Sequence, residues 1–223
     1  MIGFRILKRA RKADAKMAAA YRELPVANVS DSMSRMSAAG ARLRPMHDGT
    51  PMSGPAFTVK SRPGDNLMLH KALDLADPGD VIVVDAGGDV TNAILGEIMS
   101  RYAAGRGLGG VVINGAIRDA GALRRAPFPV YAVGVTHRGP YKDGPGEINV
   151  PVAIDGMVIE PGDLIIGDED GVLCVPYDAV QTIHDATARK HQAELRQMEA
   201  IASGTYDRSW VDDRLRQLGV KLD

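Results

Sequence analysis

Val81-Ile82-Val83-Val84-Asp85-Ala86-Gly87-Gly88-Asp89 is the stretch whose reading decides the fold. Four branched aliphatic residues in a row, closed by an acidic glycine-rich turn, read as a strand buried on both faces, because a half-solvated strand would alternate apolar and polar residues. The same texture recurs at Val111-Val112-Ile113, Val130-Tyr131-Ala132-Val133, Leu164-Ile165-Ile166 and Val172-Leu173-Cys174-Val175. These runs are further strand candidates. Two helices break the series. Leu67 to Leu75 is one, and Asn92 to Ala104 is the other, with Ile94, Leu95, Ile98, Met99 and Tyr102 at helical spacing. Pro-Gly-Asp occurs at Pro63, Pro78 and Pro161, each time as a turn feeding an apolar segment. Mixed strands and helices of this kind predict a compact α/β core over residues 25–177.

Helical extensions are expected on both sides of that core. Residues 1–24 read as an N-terminal helical arm, with Ile2 to Leu24 rich in Lys, Arg, Ala and Met and Pro25 as the stop. Ser30-Asp31-Ser32 offers N-cap chemistry for a short helix ending near Gly40. Residues 178–223 read as a C-terminal extension: a long amphipathic helix from Asp178 to Ala202, a stop at Gly204, and a last short helix from Ser209 to Leu218. The whole chain is expected to be one domain, its terminal helices suited to packing on another subunit.

Composition narrows the function. Of 223 residues, 27 are Lys or Arg and 28 Asp or Glu, so nothing demands a polyanionic partner, and nucleic-acid binding is not expected. The only basic concentration, Arg5, Lys8, Arg9, Arg11, Lys12 and Lys16, reads as a solvated helix face. No apolar run is long enough to span a bilayer, and no signal peptide is expected. Cys174, the only cysteine, sits in an apolar run and reads as a buried thiol, in keeping with a cytoplasmic location.

Two segments could carry chemistry. The glycine-rich turn Asp85 to Asp89 lets backbone amides approach an anion if a helix follows, although a plain tight turn accounts for it equally. Asn114-Gly115-Ala116-Ile117-Arg118-Asp119 follows a strand and ends in adjacent opposite charges. Arg118 there could grip a carboxylate bidentately and Asp119 a divalent cation such as Mg²⁺ or Mn²⁺. An internal salt bridge or a helix cap is the alternative.

Other motifs carry less. Gly105, Gly107 and Gly110 match G-x-G-x-x-G but follow a helix and open a strand, the reverse of a dinucleotide site. Asp168-Glu169-Asp170-Gly171 reads as an acidic hairpin turn. His47, His70, His137, His184 and His191 are scattered without a zinc pattern. Lys60 is the one lysine to consider for a Schiff base, and an edge charge is the simpler reading.

Three blocks together resemble the RraA-like family. They are Val81 to Asp89, then Leu95-Gly96-Glu97-Ile98, then Gly110 to Asp119, and the likeness continues through Lys142-Asp143-Gly144-Pro145-Gly146-Glu147-Ile148-Asn149-Val150-Pro151-Val152. Within the family the chain is similar to the 4-hydroxy-4-methyl-2-oxoglutarate/4-carboxy-4-hydroxy-2-oxoadipate aldolase branch. The resemblance implies a swivelling β/β/α-type core, a barrel-like sheet wrapped by helices, and trimers or hexamers with sites between subunits. It implies a divalent cation, Mg²⁺, Mn²⁺ or another. Pyruvate would be bound by Arg118 and by backbone amides around Gly96, Ile98 and Met99. Asp119 carries over as a metal ligand, Glu97 as the acid holding metal-bound water, and Glu194 as a ligand reaching a neighbour's metal. Departures at Ala86, where a third glycine is common, and His137, where many relatives have proline, bear on the exact substrate.

The implied reaction splits a 4-hydroxy-2-oxo di- or tricarboxylic acid into pyruvate and a second keto acid, with oxaloacetate decarboxylation as a side activity. Both routes pass through a pyruvate enolate, which a Lewis-acidic cation and Arg118 would stabilise. A protein-binding regulator of ribonuclease E type is the runner-up. That branch typically lacks both the Asp after the Arg and the long tail. A quinone-biosynthesis methyltransferase rests only on the glycine turn.

Overall fold

The computed structural model describes residues 2–222; Met1 and Asp223, the outermost residues of the expected domain, lie outside the described residues. Its centre is the long strand β3 (Met52–Ser61), which takes part in three pairings. Ala56 to Lys60 run parallel to β4 (Val81–Asp85), and Val59 to Ser61 run antiparallel to β8 (Gly146–Ile148). Met52 to Pro55 run antiparallel to β11 (Leu164–Asp168), which forms a hairpin with β12 (Gly171–Val175). β4 continues parallel to β6 (Gly110–Ile117), and β6 to β7 (Val130–Val135).

The continuous aliphatic runs are explained by this arrangement, because both faces of β4 and β6 are covered. Ile82, Val84, Val111 and Ile113 face a layer made by α3 (Leu67–Leu75) and α4 (Glu97–Gly105). Val81, Val83 and Val112 face the opposite way, onto Ile165 and Cys174 and onto the small sheet of β9 (Val152–Ile154) and β10 (Met157–Ile159). A third cluster packs α1 (Ala15–Tyr21) and α2 (Val26–Ser32) onto the outer face of the β11–β12 hairpin, together with the start of α6 (Val180–Ala202). The expected α/β class is borne out, as is the acidic hairpin turn. Cys174 is buried, and burial pushes its thiol well above the ordinary range. Among the described residues no helix is long and apolar enough to cross a membrane.

Three local expectations need correction. The N-terminal arm is not one helix from Ile2. Phe4–Ile6 forms strand β1, parallel to β8, and helix begins only at Ala15. Three of the intervening basic residues, Arg9, Arg11 and Lys12, are spent on acids rather than on a solvated face. Arg9 reaches Asp80, whose side chain is fully buried, Lys12 reaches Asp77, and Arg11 reaches Asp178 and Glu160. A buried carboxylate needs a cation, and an extended backbone lets successive side chains reach different partners. Ser30 to Ser32 closes α2 instead of capping a later helix. Residues Ala93–Leu95 form strand β5, added to the end of β6, so helix α4 starts only after Gly96. Side chains of Ile94 and Leu95 mimic helical spacing with those of Ile98 and Met99, but pairing with β6 decides the backbone.

β1 is clamped by one acid. Glu147 accepts hydrogen bonds from the Gly3 N–H and from Arg5 Nε and Nη2, at 2.6, 2.8 and 2.7 Å. These bonds hold its carboxyl at about 2 instead of the ordinary 4.5. A depressed acid stabilises the fold above its unfolded pKa and loses that contribution as pH falls toward its folded one. Glu147→Gln is therefore expected to melt below wild type at neutral pH, with the gap closing between about pH 4.5 and about pH 2. A gap independent of pH in thermal melts would remove the clamp from the account.

Candidate functional site

Strand β6 ends at Ile117, and Arg118 and Asp119 follow at its carboxyl end. In parallel α/β sheets this is where ligands bind. The Arg118 N–H donates to the Leu95 carbonyl at 2.9 Å, so β5 and β6 leave the sheet side by side. Gly96-Glu97 thereby lies against Arg118-Asp119. A carboxylate oxygen of Asp119, Oδ2, accepts the Glu97 backbone N–H at 2.9 Å and caps helix α4. The next N–H groups of α4's first turn, those of Ile98 and Met99, have no intrahelical acceptor.

Asp119 adopts the left-handed conformation, φ 58° and ψ 32°. Outside glycine that conformation costs roughly 1 kcal/mol or more and clusters at functional sites. Gly96 has no room for a side chain: a Cβ there would stand 2.6 Å from Asp119 Oδ2 and 2.9 Å from Arg118 Cγ. Glycine at this position is a steric requirement of the Arg–Asp pair, not a matter of backbone freedom.

A cleft of about 330 Å³ opens beside this junction. One wall is Ile94 to Gly96 with Ile98, Met99, Arg118 and Asp119. Asn66, just before α3, and His70, one turn into it, line it as well, as do Gly139, Pro140 and Lys142 of the loop after β7. That loop is tied down from two places. Asp65, fully buried, accepts the N–H groups of Asp143 and Gly144 at 2.7 and 2.8 Å and that of Leu67 at 2.9 Å. Asn92 Nδ2 donates to the Gly139 carbonyl. Asn66 Nδ2 donates to Ile94 O at 3.0 Å, and its buried Oδ1 has no partner among the described residues. An adjoining hollow of about 300 Å³ shares Arg118 and Asp119 with Val135, Thr136 and His137.

Electrostatics favour an anion here. Arg118 and Lys142 share the cleft with one carboxylate, Asp119. The Arg118 and Asp119 side chains are each near half exposed and only 3.8 Å apart at their closest charged atoms, so their mutual pairing is loose. His70 is an exposed residue whose ring is only partly desolvated by the cleft; it is lowered from its ordinary value, first by that desolvation and then by Lys142, against the opposing pull of Asp74.

Of the expected site residues, Gly96, Ile98, Met99, Arg118 and Asp119 come together in the cleft. Glu97 contributes its backbone N–H, while its side chain turns to Arg101 at 2.7 Å and is not part of the lining. Glu194 lies on α6, where it accepts from Asn28 Nδ2 at 2.7 Å and pairs with Lys190 at 3.1 Å. None of its bonds within the chain goes to Asp119. The Asp85 to Asp89 turn feeds β5, so the helix start that faces the cleft is at Gly96 instead. Lys60 is an exposed strand residue opposite Asp85 and Glu147 in register, outside the cleft lining. Sequence order hid Asn66, His70 and Lys142. The only available signal was the i, i+4 spacing of Asn66 and His70 across the start of a helix whose other face is apolar.

The family model described as RraA-like, Aldolase/RraA, matches residues 26–174. The chain belongs to the RraA-like family. A protein of Halalkalibacterium halodurans, provisionally named a 4-hydroxy-4-methyl-2-oxoglutarate aldolase, is 39% identical over 183 residues, covering 82% of this chain and 87% of that one. A Thermus thermophilus protein named 4-hydroxy-4-methyl-2-oxoglutarate aldolase is 38% identical over 112 residues, covering 50% of this chain and 68% of that one. The solved structure of the RNA-processing inhibitor RraA from Thermus thermophilus superposes with a TM-score of 0.64 at 32% identity, covering 69% of this chain and 93% of that one. RraA-like proteins thus include both named aldolases and a named inhibitor, and the family alone does not choose between them.

Crowding at Gly96 has a measurable consequence. Gly96→Ala is expected to fold but to lose about 1–3 kcal/mol, the usual cost of overpacking. Arg118 and Asp119 must move to admit the methyl group. An unchanged urea midpoint would mean that these residues are not packed as described.

Proposed function

We propose that this RraA-like protein is a carbon–carbon lyase of the pyruvate-aldolase type, cleaving 4-hydroxy-2-oxo di- or tricarboxylic acids and decarboxylating oxaloacetate as a side reaction. The observation that carries this is the meeting of Arg118, Asp119 and the first turn of α4 in one cleft. Arg118 presents a planar fork to the pyruvyl carboxylate. The unpaired N–H groups of Ile98 and Met99, at the positive end of a helix dipole, add donors for the same anion. The aldolase names of the two relatives support the reading.

A divalent cation fits the donor set. Asp119 keeps Oδ1 free of hydrogen bonds among the described residues, and no group of three or more His, Cys, Asp or Glu side chains is preassembled there. Mg²⁺ suits such a site, since it retains several waters and takes one or two carboxylates plus substrate oxygens. Asp119 would hold it, and Glu194 of a neighbouring copy is the second ligand we propose, which requires a trimer or hexamer. When bound, the cation supplies Lewis-acid stabilisation of the charge that develops on the 2-keto oxygen. Arg118 keeps the substrate carboxylate in place while that charge grows, and the low polarity of Ile94, Leu95 and Met99 strengthens its pull. A ribonuclease-binding role, in line with the RNA-processing inhibitor name of the Thermus structure, is the second reading. It is favoured by Ile98, 80% exposed at the cleft rim.

Release of pyruvate from oxaloacetate, with and without Mg²⁺, separates the two readings. Turnover is expected to need the cation, to stop in EDTA, and to leave no borohydride-trapped adduct. Turnover that persists in EDTA would sink the metal-dependent mechanism. Light scattering should find a trimer or hexamer, and a monomer would remove Glu194 from the site.

Arg118→Lys should lose about 10²–10³ in kcat/KM, roughly 3–4 kcal/mol, because charge remains but the fork is lost. Asp119→Asn keeps an acceptor for the Glu97 N–H but loses the anionic ligand. Its defect should be partly rescued by excess Mg²⁺ or Mn²⁺, whereas that of Arg118→Lys should not. Near-normal activity in either variant would place the active site elsewhere and put the ribonuclease-binding role first.

A further inference from the structure

The cleft poses a chemical question that Arg118 and Asp119 leave open. Retro-aldol cleavage requires a group to take the proton of the C4 hydroxyl, and the enolate must then receive a proton at C3. Asp119 holds the Glu97 N–H with Oδ2 and is assigned the cation with Oδ1, and Glu97 itself is turned toward Arg101. Resting on the lyase reading above, we propose that His70 is the proton-transfer residue of this cleft.

Geometry supports the assignment. His70 lies on α3, one turn after Asn66, and its backbone N–H donates to the Asn66 carbonyl at 3.0 Å. Asn66 is in turn pinned to β5 through Ile94 O. The His70 ring therefore lines the same cleft as Arg118, on a helix fixed to the strand that carries Gly96. Its side chain makes no hydrogen bond among the described residues. His47, by contrast, is buried with both ring nitrogens engaged by backbone, Nδ1 accepting the Val130 N–H and Nε2 facing the Thr50 carbonyl. Such a histidine is structural, whereas an unbonded one facing a cleft is available for chemistry. His137 is the competitor, but it lines the adjoining hollow, away from the α4 amides that would hold the pyruvyl group.

The charged surroundings suit a base. Lys142, Arg118 and Asp119 share the cleft with His70, and Asp74 stands one turn further along α3. Partial desolvation and Lys142 together outweigh Asp74 and favour the neutral ring at pH 7. A neutral imidazole has a free lone pair for the hydroxyl proton.

The step balances without a further reagent. The C4 O–H bond breaks, and its proton goes to a ring nitrogen of His70. The O–H electron pair becomes the C4 carbonyl of the departing keto acid. The C3–C4 pair becomes the enolate double bond. The imidazolium then gives the same proton to C3, which yields pyruvate and restores the neutral ring. With oxaloacetate, CO₂ leaves with no hydroxyl proton to collect, so the neutral ring takes a proton from water and passes it to C3, and the hydroxide left behind combines with the released CO₂ as bicarbonate.

Exchange of the pyruvate methyl protons in D₂O, followed by NMR, reads this step directly. Wild-type protein with Mg²⁺ should catalyse the exchange. His70→Gln should lower the exchange rate and the kcat for oxaloacetate together by roughly 10²–10⁴-fold, the usual share of a general acid–base. KM should stay near wild type, and circular dichroism should stay unchanged. His70→Ala should recover exchange on addition of imidazole, which a structural defect would not. Normal exchange in His70→Gln would overturn the proposal. So would a raised KM with kcat retained, which would make His70 a binding group only. Loss of exchange in His137→Gln with His70→Gln unaffected would move the role to His137. Absence of both exchange and pyruvate formation in wild type would instead overturn the lyase reading on which the proposal rests.

Discussion

One hydrogen bond organises the site: the Glu97 N–H on the Asp119 carboxylate. It joins two segments that are remote in sequence, the β5–α4 junction and the end of β6. Each neighbouring feature follows from it. Asp119 must bend into the left-handed region to reach the amide, Gly96 must lack a side chain to let it pass, and Arg118 must lie alongside. A non-glycine residue in that conformation is costly alone. A charge-assisted bond at a helix start, where the dipole favours an anion, offsets the cost. The same bond occupies one carboxylate oxygen and leaves the other available, which sets how many donors the chain itself can offer a cation.

A second tie of the same kind builds the other side of the cleft. Asp65 is fully buried and holds the N–H groups of Asp143, Gly144 and Leu67, so the loop bearing Lys142 and the helix bearing His70 share one anchor. Two buried or half-buried aspartates thus position the walls through backbone amides rather than through side-chain ion pairs. Backbone donors cannot rotate away, so they give a more rigid support than paired surface charges would. The exposed acids follow the opposite logic. Glu97 and Arg101, a turn apart on α4, form an ordinary surface pair outside the cleft.

The N-terminal segment shows how tertiary demand overrides local preference. Lys, Arg and Ala between Lys8 and Lys16 favour helix in isolation, and helix propensity is worth only tenths of a kcal/mol per residue. Against that stands Asp80, whose buried carboxylate has its short ion pair with Arg9, at 2.6 Å, and a longer one with Lys12, at 3.9 Å. Leaving a buried charge unpaired costs several kcal/mol, so the chain stays extended to deliver the guanidinium. β1 is then added to the sheet edge through Glu147, a residue far along the chain that no local window connects to Arg5.

By itself the sequence determined the α/β class and the buried strands β4, β6, β7, β11 and β12. Continuous aliphatic runs can be satisfied only between two covered faces. Helices α3 and α6 were legible from periodicity, and Arg118–Asp119 stood out as opposite charges closing an apolar strand. Only the tertiary structure decided that residues 93–95 are strand, because their partner is the end of β6 and pairing outweighs helical spacing. It alone turned the Glu97 side chain outward and placed its amide on Asp119. It alone gathered Asn66, His70 and Lys142 around one cleft, since three elements separated along the chain meet there through hydrogen bonds to Asp65 and Ile94.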